Sequence, residues 1–328
     1  MGLAMLWIVL FHSGFSLPFP LSELKLSGYG GSDIFVFLSG FGLYYSLKKD
    51  SDPMKFYKRR LERILPSYIP FILLSFAGMI VSNLAEAKAD LFITFQAFCG
   101  NFALLGRVND LKHQTNWYMP AIIWFYIFTP IFYHLITDYK GKKKIVSIAS
   151  LFAFIALVNI TFFRNESVLI GVSRMFPFIL GLIFADIENR DINDKLFTAL
   201  AVAGVVIGTV LVQVNRKYFV PLLRDYGLDW YPFIILAPSI SILAGRIFSL
   251  LDRNSVGRAI NSFFKFIGAN SLEIFFVHIL LFTVAETLLK GRLNNALWAV
   301  ISAAGIGFGI IYHYVIEFIT KKFLFKKQ

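Results

Sequence analysis

The sequence predicts an all-α, polytopic integral membrane protein with about ten transmembrane helices plus a short re-entrant or interfacial segment, both termini cytoplasmic. Three observations carry this. Of the 328 residues, 57% are apolar, and the mean hydropathy is +0.67. Charged residues are only 16%, against roughly 25% in soluble domains. Apolar stretches of about 20 residues, the length that crosses a bilayer, recur from end to end. A water-soluble domain of this size could not hide that much apolar side chain. The expectation is a single transmembrane domain over 1–328 with no appended soluble domain.

Taken in order, the spans are expected over 3–21, 29–47, 64–84, 117–137, 145–163, 168–186, 197–214, 231–251, 268–289 and 296–319. The first begins without the basic leader and cleavage site of a signal peptide, so it reads as a retained span. The stretch 91–106 is apolar but short and carries Gln96, Gly100 and Asn101, which marks it as interfacial or re-entrant. Trp117, Tyr118, Trp230 and Tyr231 fall at outer span ends, where aromatic rings favour the interface.

Charge supports that count. With ten spans, 20 of the 32 lysines and arginines fall on one side and 10 on the other, while Arg174 and Arg246 lie within spans. The basic-rich side includes Lys48 to Arg63, Lys140 to Lys144, Arg253 to Lys265 and Lys321 to Lys327. By the positive-inside rule that side is cytoplasmic. If 91–106 crossed the membrane, every later loop would change sides and the asymmetry would vanish.

The same rule accounts for the net charge of +12 and pI of about 9.6. Nucleic-acid binding needs a basic face on a folded soluble module, and none is visible. One cysteine, Cys99, excludes an intrachain disulfide. No metal-ligand spacing, P-loop or dinucleotide fingerprint is present. The glycine clusters lie in spans, and no strand–turn–helix nucleophile elbow occurs.

Ionisable groups inside a membrane are costly, so each is a candidate for function. They are His12, Asp33, Arg174, Glu273, His278 and Glu286, with His134 and His313 nearer span ends. His12 sits in the first span, and an imidazole suits proton transfer near neutral pH; a packing histidine bonded to a carbonyl is the alternative. Asp33, just inside the second span, needs a partner and could orient a histidine or hold an arginine. Ser32, Ser39 and the neighbouring glycines fit close helix packing.

Arg60 and Arg63 share a face if their stretch is helical. They could hold the phosphates of a nucleotide-like ligand or anchor the chain on anionic lipid head groups. Ser271 and His278, seven apart, share one helix face, with Glu273 about 140° away.

These pieces resemble the acyltransferase 3 family of bacterial membrane acyltransferases. The first-span run ending Phe11-His12 resembles that family's histidine-bearing first helix. Gly31-Ser32-Asp33-Ile34-Phe35-Val36-Phe37-Leu38-Ser39-Gly40-Phe41 resembles its second-helix pattern G-x-D-x-F-F-x-x-S-G-F. Arg60-Leu61-Glu62-Arg63-Ile64-Leu65-Pro66 matches R-x-x-R-I-x-P at the approach to its third helix. Asn116-Trp117-Tyr118-Met119 through Pro130 is similar to its W-[FY]-L span, and Gly268 through His278 to its late G-x-x-S-x-x-x-[YF]-x-x-H helix. The likeness runs over essentially the whole chain, in order.

The resemblance implies transfer of an acyl group, most often acetyl, from cytoplasmic acyl-CoA to a cell-surface polysaccharide or lipid-linked sugar. It implies His12 and Asp33 as catalytic residues. Arg60, Arg63, His278, Ser271 and Trp117 would contact acyl-CoA or acceptor. No tightly bound cofactor is implied; acetyl-CoA is the donor substrate, and the site is the bacterial cytoplasmic membrane. The family usually carries an arginine eleven residues before the histidine, a position that is Met1 here; a shortened N-terminus is the expectation. Two other readings remain open: a transporter or flippase for a lipid-linked glycan, which would favour internal repeats that are not visible, and a non-catalytic relative.

Overall fold

A computed structural model describes residues 1–85, 117–188, 194–218, 221–289 and 291–324. The expected interfacial segment 91–106, with Cys99, lies outside the described residues. Among them the regular structure is entirely helical. In chain order the helices are α1 (Gly2–His12), α2 (Leu21–Leu26), α3 (Gly30–Lys49), α4 (Pro53–Ala85), α5 (Tyr118–Thr137), α6 (Gly141–Thr161) and α7 (Glu166–Val172). They continue as α8 (Met175–Glu188), α9 (Asp194–Lys217), α10 (Pro221–Asp225), α11 (Pro232–Leu251), α12 (Ser255–Ala269), α13 (Ser271–Leu288) and α14 (Asn295–Ile319).

Seven stretches among the described residues are long and apolar enough to cross a membrane. They are α5, α6, Val168–Glu188, α9, Leu228–Leu251, α13 and Asn295–Lys322. The chain is therefore multi-pass. α3 carries Asp33, Lys48 and Lys49, and α4 is polar in its first third; neither belongs to that set.

Local chemistry sets several helix starts. Asp52 Oδ1 accepts from the backbone N–H groups of Met54 (2.9 Å) and Lys55 (3.3 Å), with Pro53 at the first helical position of α4. Asn294 Oδ1 accepts from Leu297 N at 2.9 Å to start α14. Asn165 does the same for α7 through Val168 N at 3.3 Å.

Three of the expected spans differ from the helices found. The first, expected over 3–21, is helical only to His12; Ser13 is extended (φ −69°, ψ 152°). Pro18 and Pro20 keep helix from running on to the end of the expected span, since proline has no N–H and disfavours helix in the residue before it. Eleven residues of α1 rise only about 16 Å, roughly half the hydrocarbon thickness. The span over 168–186 is interrupted at Ser173–Arg174 between α7 and α8. The one over 268–289 breaks at Asn270 between α12 and α13. The loop expected before the third span is instead helix, so α4 runs unbroken through Pro66 and Pro70.

The packing divides the chain into two compact units, each assembled from separated segments. One holds Met1–Tyr29, Arg60–Asn116 and Ser262–Gln328. Within it α13 packs along α14 and against α1. The other holds Gly30–Arg59 and Trp117–Asn261, with α3 against α8 and α9 against α11 as its main pairings. In that second unit Asp186 of α8 binds Lys144 of α6 and accepts from the Tyr44 hydroxyl of α3 at 3.2 Å, a polar tie among three helices.

Candidate active site

In the first unit the last residue of α1 meets the middle of α13. His12 Nδ1 lies 2.9 Å from His278 Nε2. The two rings are within 25° of parallel, with centroids 5.2 Å apart. That separation exceeds the N–N distance by about two ring radii, so the nitrogens point at each other edge to edge. The other nitrogen of His278, Nδ1, lies 2.8 Å from the Ile274 carbonyl one turn back. His278 is fully buried, whereas His12 is exposed.

The fold holds this pair from several directions. At the start of α1, a Cβ on Gly2 would sit 2.1 Å from the Phe264 carbonyl oxygen, so only glycine allows that approach to α12. Past His12, the backbone of Ser16 is clamped by Asn295, whose Oδ1 accepts from Ser16 N and whose Nδ2 donates to Ser16 O, both at 2.9 Å. The Trp298 indole lies under Gly14 and packs edge-on against Phe282 at 5.2 Å. Phe282 in turn packs edge-on against His278 at 5.4 Å. On the other side, Gly305 of α14 brings backbone close enough that a Cβ there would lie 3.0 Å from His278 Cβ. The expected helix face of Ser271 and His278 exists, but the Ser271 hydroxyl donates to the Gly268 carbonyl at 2.8 Å across the break before α13.

A second polar cluster lies elsewhere on α13. Buried Glu273 accepts from the Ser67 hydroxyl of α4 at 2.6 Å and has His313 Nδ1 of α14 3.2 Å from its other oxygen. Tyr312 donates to the Ser67 carbonyl at 2.6 Å. Ser67 stands one turn beyond Arg63, so this cluster fixes the helix that carries Arg60 and Arg63. Both arginines are on α4, as a shared face requires; Arg60 is half-buried and Arg63 exposed.

In the second unit Asp33 and Arg174 are paired. Arg174 Nε lies 3.6 Å from Asp33 Oδ1, and each side chain is 2% exposed. Arg174 Nη1 donates to the Ile170 carbonyl at 2.8 Å. Its guanidinium lies over the rings of Trp117 and Trp230, 4.8 and 4.6 Å from the ring centres. Of the two partners the sequence allowed Asp33, the arginine is the one it has. Among the described residues Asp33 Oδ2 has no hydrogen-bond partner. Trp117 stands at the edge of this group, half-buried.

The residues that sequence reasoning missed are Asn295, Trp298, Gly305 and Gly309. Gly305 and Gly309 had a signal, the G-x-x-x-G spacing of close helix crossings. Asn295 and Trp298 had none, because a clamp on a distant backbone leaves no local pattern.

The acyltransferase 3 family model, described as an acyltransferase domain, matches residues 2–315. The chain belongs to this family. Over 110 residues, 33% of this chain, it is 34% identical to a Komagataeibacter xylinus protein provisionally described as the membrane-bound transacylase BcsY. That match spans 25% of the relative's length. No solved structure matches the chain.

Proposed function

We propose that this acyltransferase moves an acyl group, in the simplest case acetyl, from acyl-CoA to a hydroxyl of a cell-surface polysaccharide or lipid-linked sugar in the bacterial cytoplasmic membrane. The observation that carries the reading is the exposed His12 imidazole held by a buried histidine at 2.9 Å. A ring fixed on one edge and open on the other suits a general base.

His12 takes the proton of the acceptor hydroxyl as its oxygen bonds to the thioester carbonyl carbon. The carbon–sulfur bond then breaks, and the protonated His12 returns the proton to the departing CoA sulfur. Atoms balance: acyl ester and free CoA thiol form, and His12 ends neutral. Positioned base catalysis contributes about 10²- to 10⁴-fold. Arg60 and Arg63 supply planar, permanent cations for the CoA phosphates, on a helix anchored by Ser67 and Glu273. Asp33 acts by holding Arg174.

The test is acyl transfer from radiolabelled acetyl-CoA in membranes containing the chain or His12→Ala at matched expression, with glycan extracted and counted. Label that falls by about 10²-fold or more in His12→Ala supports the reading. A variant as active as the parent removes His12 from the chemistry. No transfer by the parent, with several acceptors and acyl donors supplied, moves the reading to a non-catalytic relative or a carrier of lipid-linked glycan.

A further inference from the structure

We propose that His278 is a positioning residue that fixes the tautomer of His12 and thereby makes Nε2 of His12 the basic nitrogen. The proposal rests on His12 being the base and adds which atom does the work and what compels it.

A backbone carbonyl only accepts hydrogen bonds, so His278 Nδ1, 2.8 Å from the Ile274 oxygen, carries a proton. A neutral imidazole has one N–H. Protonating both nitrogens of His278 would place an ion in a fully enclosed site, a costly state. His278 Nε2 is therefore a bare acceptor. Facing it at 2.9 Å, His12 Nδ1 must donate. One proton is then spent on Nδ1, and His12 Nε2 is left with a lone pair on the ring's open edge.

The ring of His278 is in no position to turn over and reverse this order. Phe275 and Phe282 lie edge-on to it at 5.8 and 5.4 Å, and Gly305 closes the side facing α14. A flipped ring would point carbon at both the Ile274 carbonyl and His12. An isolated histidine in water has no such constraint. The hydrogen bond made by one nitrogen decides which of the two is free.

The consequence appears when His12 takes a proton on Nε2. Its Nδ1–H then belongs to a cation, and hydrogen bonds from ionised donors are about twice as strong as neutral ones. His278 receives that bond without itself becoming charged. The stabilisation is present after proton transfer and small before it, which is the requirement for raising the rate of the chemical step rather than binding. Because the acceptor is neutral, removing His278 should cost less than removing His12.

Histidine ¹⁵N chemical shifts separate the two tautomers directly. The chain has five histidines, so ¹⁵N-histidine-labelled protein in lipid nanodiscs gives few signals, and single His→Gln variants assign them. The expected result for the parent is the Nδ1–H form for both His12 and His278. In His278→Leu the His12 signal should move to the Nε2–H form, with kcat reduced by roughly tenfold to a hundredfold, the cost of removing a partner that orients a metal-bound histidine, and KM for acyl-CoA unchanged. In His278→Gln the side-chain oxygen can accept near the former Nε2 position, so both the tautomer and part of kcat should return. An Nε2–H signal for His12 in the parent overturns the proposal, as does full kcat in His278→Leu. The spectrum is read without substrate, so it stands apart from failure of the acyl-transfer reading, which the absence of labelled product would reveal by itself.

Discussion

At the scale of the residue, Arg174 shows how this chain keeps a charge where solvent does not reach. It is the largest of the fully buried side chains among the described residues. Asp33 balances its charge at 3.6 Å, and two tryptophan faces cover the guanidinium. Cation–π contacts of this kind are worth up to about 2 kcal/mol each when desolvated. Replacing one partner leaves the other ionised and alone. Arg174→Met should therefore destabilise by about 3–5 kcal/mol, read as a drop in thermal midpoint in detergent. Adding Asp33→Leu should recover part of that loss, since removing both charges removes the unpaired one. Two single losses that simply add in the double variant would show the pair to be uncoupled.

Residues of this kind were visible in the sequence as ionisable groups inside apolar runs; their pairings were not. His12 and His278 stand 266 positions apart, and no periodicity connects α1 to α13. A carboxylate at Asp33 needs a partner on sequence grounds, but only packing of α3 beside the α7–α8 break chooses Arg174.

Elements in this fold meet through glycine. A Cβ on Gly40 of α3 would lie 2.1 Å from the Phe178 carbonyl oxygen, and one on Gly181 of α8 would lie 2.1 Å from that of Phe37. The glycines of the second span fit close helix packing by sequence, and Gly40 is one that packs so. The α13–α14 crossing offers a graded test. A Cβ at Gly309 would come 2.5 Å from Ile274 Cα, one at Gly305 would come 3.0 Å from His278 Cβ, and one at Gly307 would meet nothing within 4 Å. Gly307→Ala should be neutral or stabilising by up to about 1 kcal/mol, because alanine loses less backbone entropy in a helix. Gly309→Ala forces two backbones apart and should cost about 1–3 kcal/mol. Gly305→Ala should fall between and disturb the dyad most for its stability cost. Thermal midpoints of the three variants check the order, and a uniform gain across all three would mean that the helices are not in this contact. The end of α1 was the element least legible. Phe15, Leu17 and Phe19 prolong the apolar run past His12, so hydropathy continues where Pro18 and Pro20 forbid the helix.

The whole molecule is where apolar pattern and charge pattern must agree. Exposed apolar side chains line α6, α9 and α14, among them Leu157, Val206, Val210, Ile311 and Val315. A surface of this kind is stable against lipid and a liability in water. The hydropathy of the spans was legible because each must be apolar along its full length. Orientation depends instead on loops, and there the asymmetry of lysine and arginine makes a definite prediction. Lys142 stands at the start of α6, Lys217 at the end of α9 and Arg253 just past α11. Three candidate spans separate the first two, namely α6, Val168–Glu188 and α9, and Leu228–Leu251 separates the second from the third. An odd number of crossings in each interval puts Lys217 on the side opposite the other two. The positive-inside rule places Lys142 and Arg253 in the cytoplasm. In a Cys99→Ser background, a membrane-impermeant maleimide applied to intact cells should label Lys217→Cys, and should label Lys142→Cys and Arg253→Cys only after lysis. The inverse pattern would reverse the orientation and place the basic loops outside. Labelling of all three from one side would instead mean that two of the four stretches do not cross, Leu228–Leu251 and one of the other three, whatever their hydropathy.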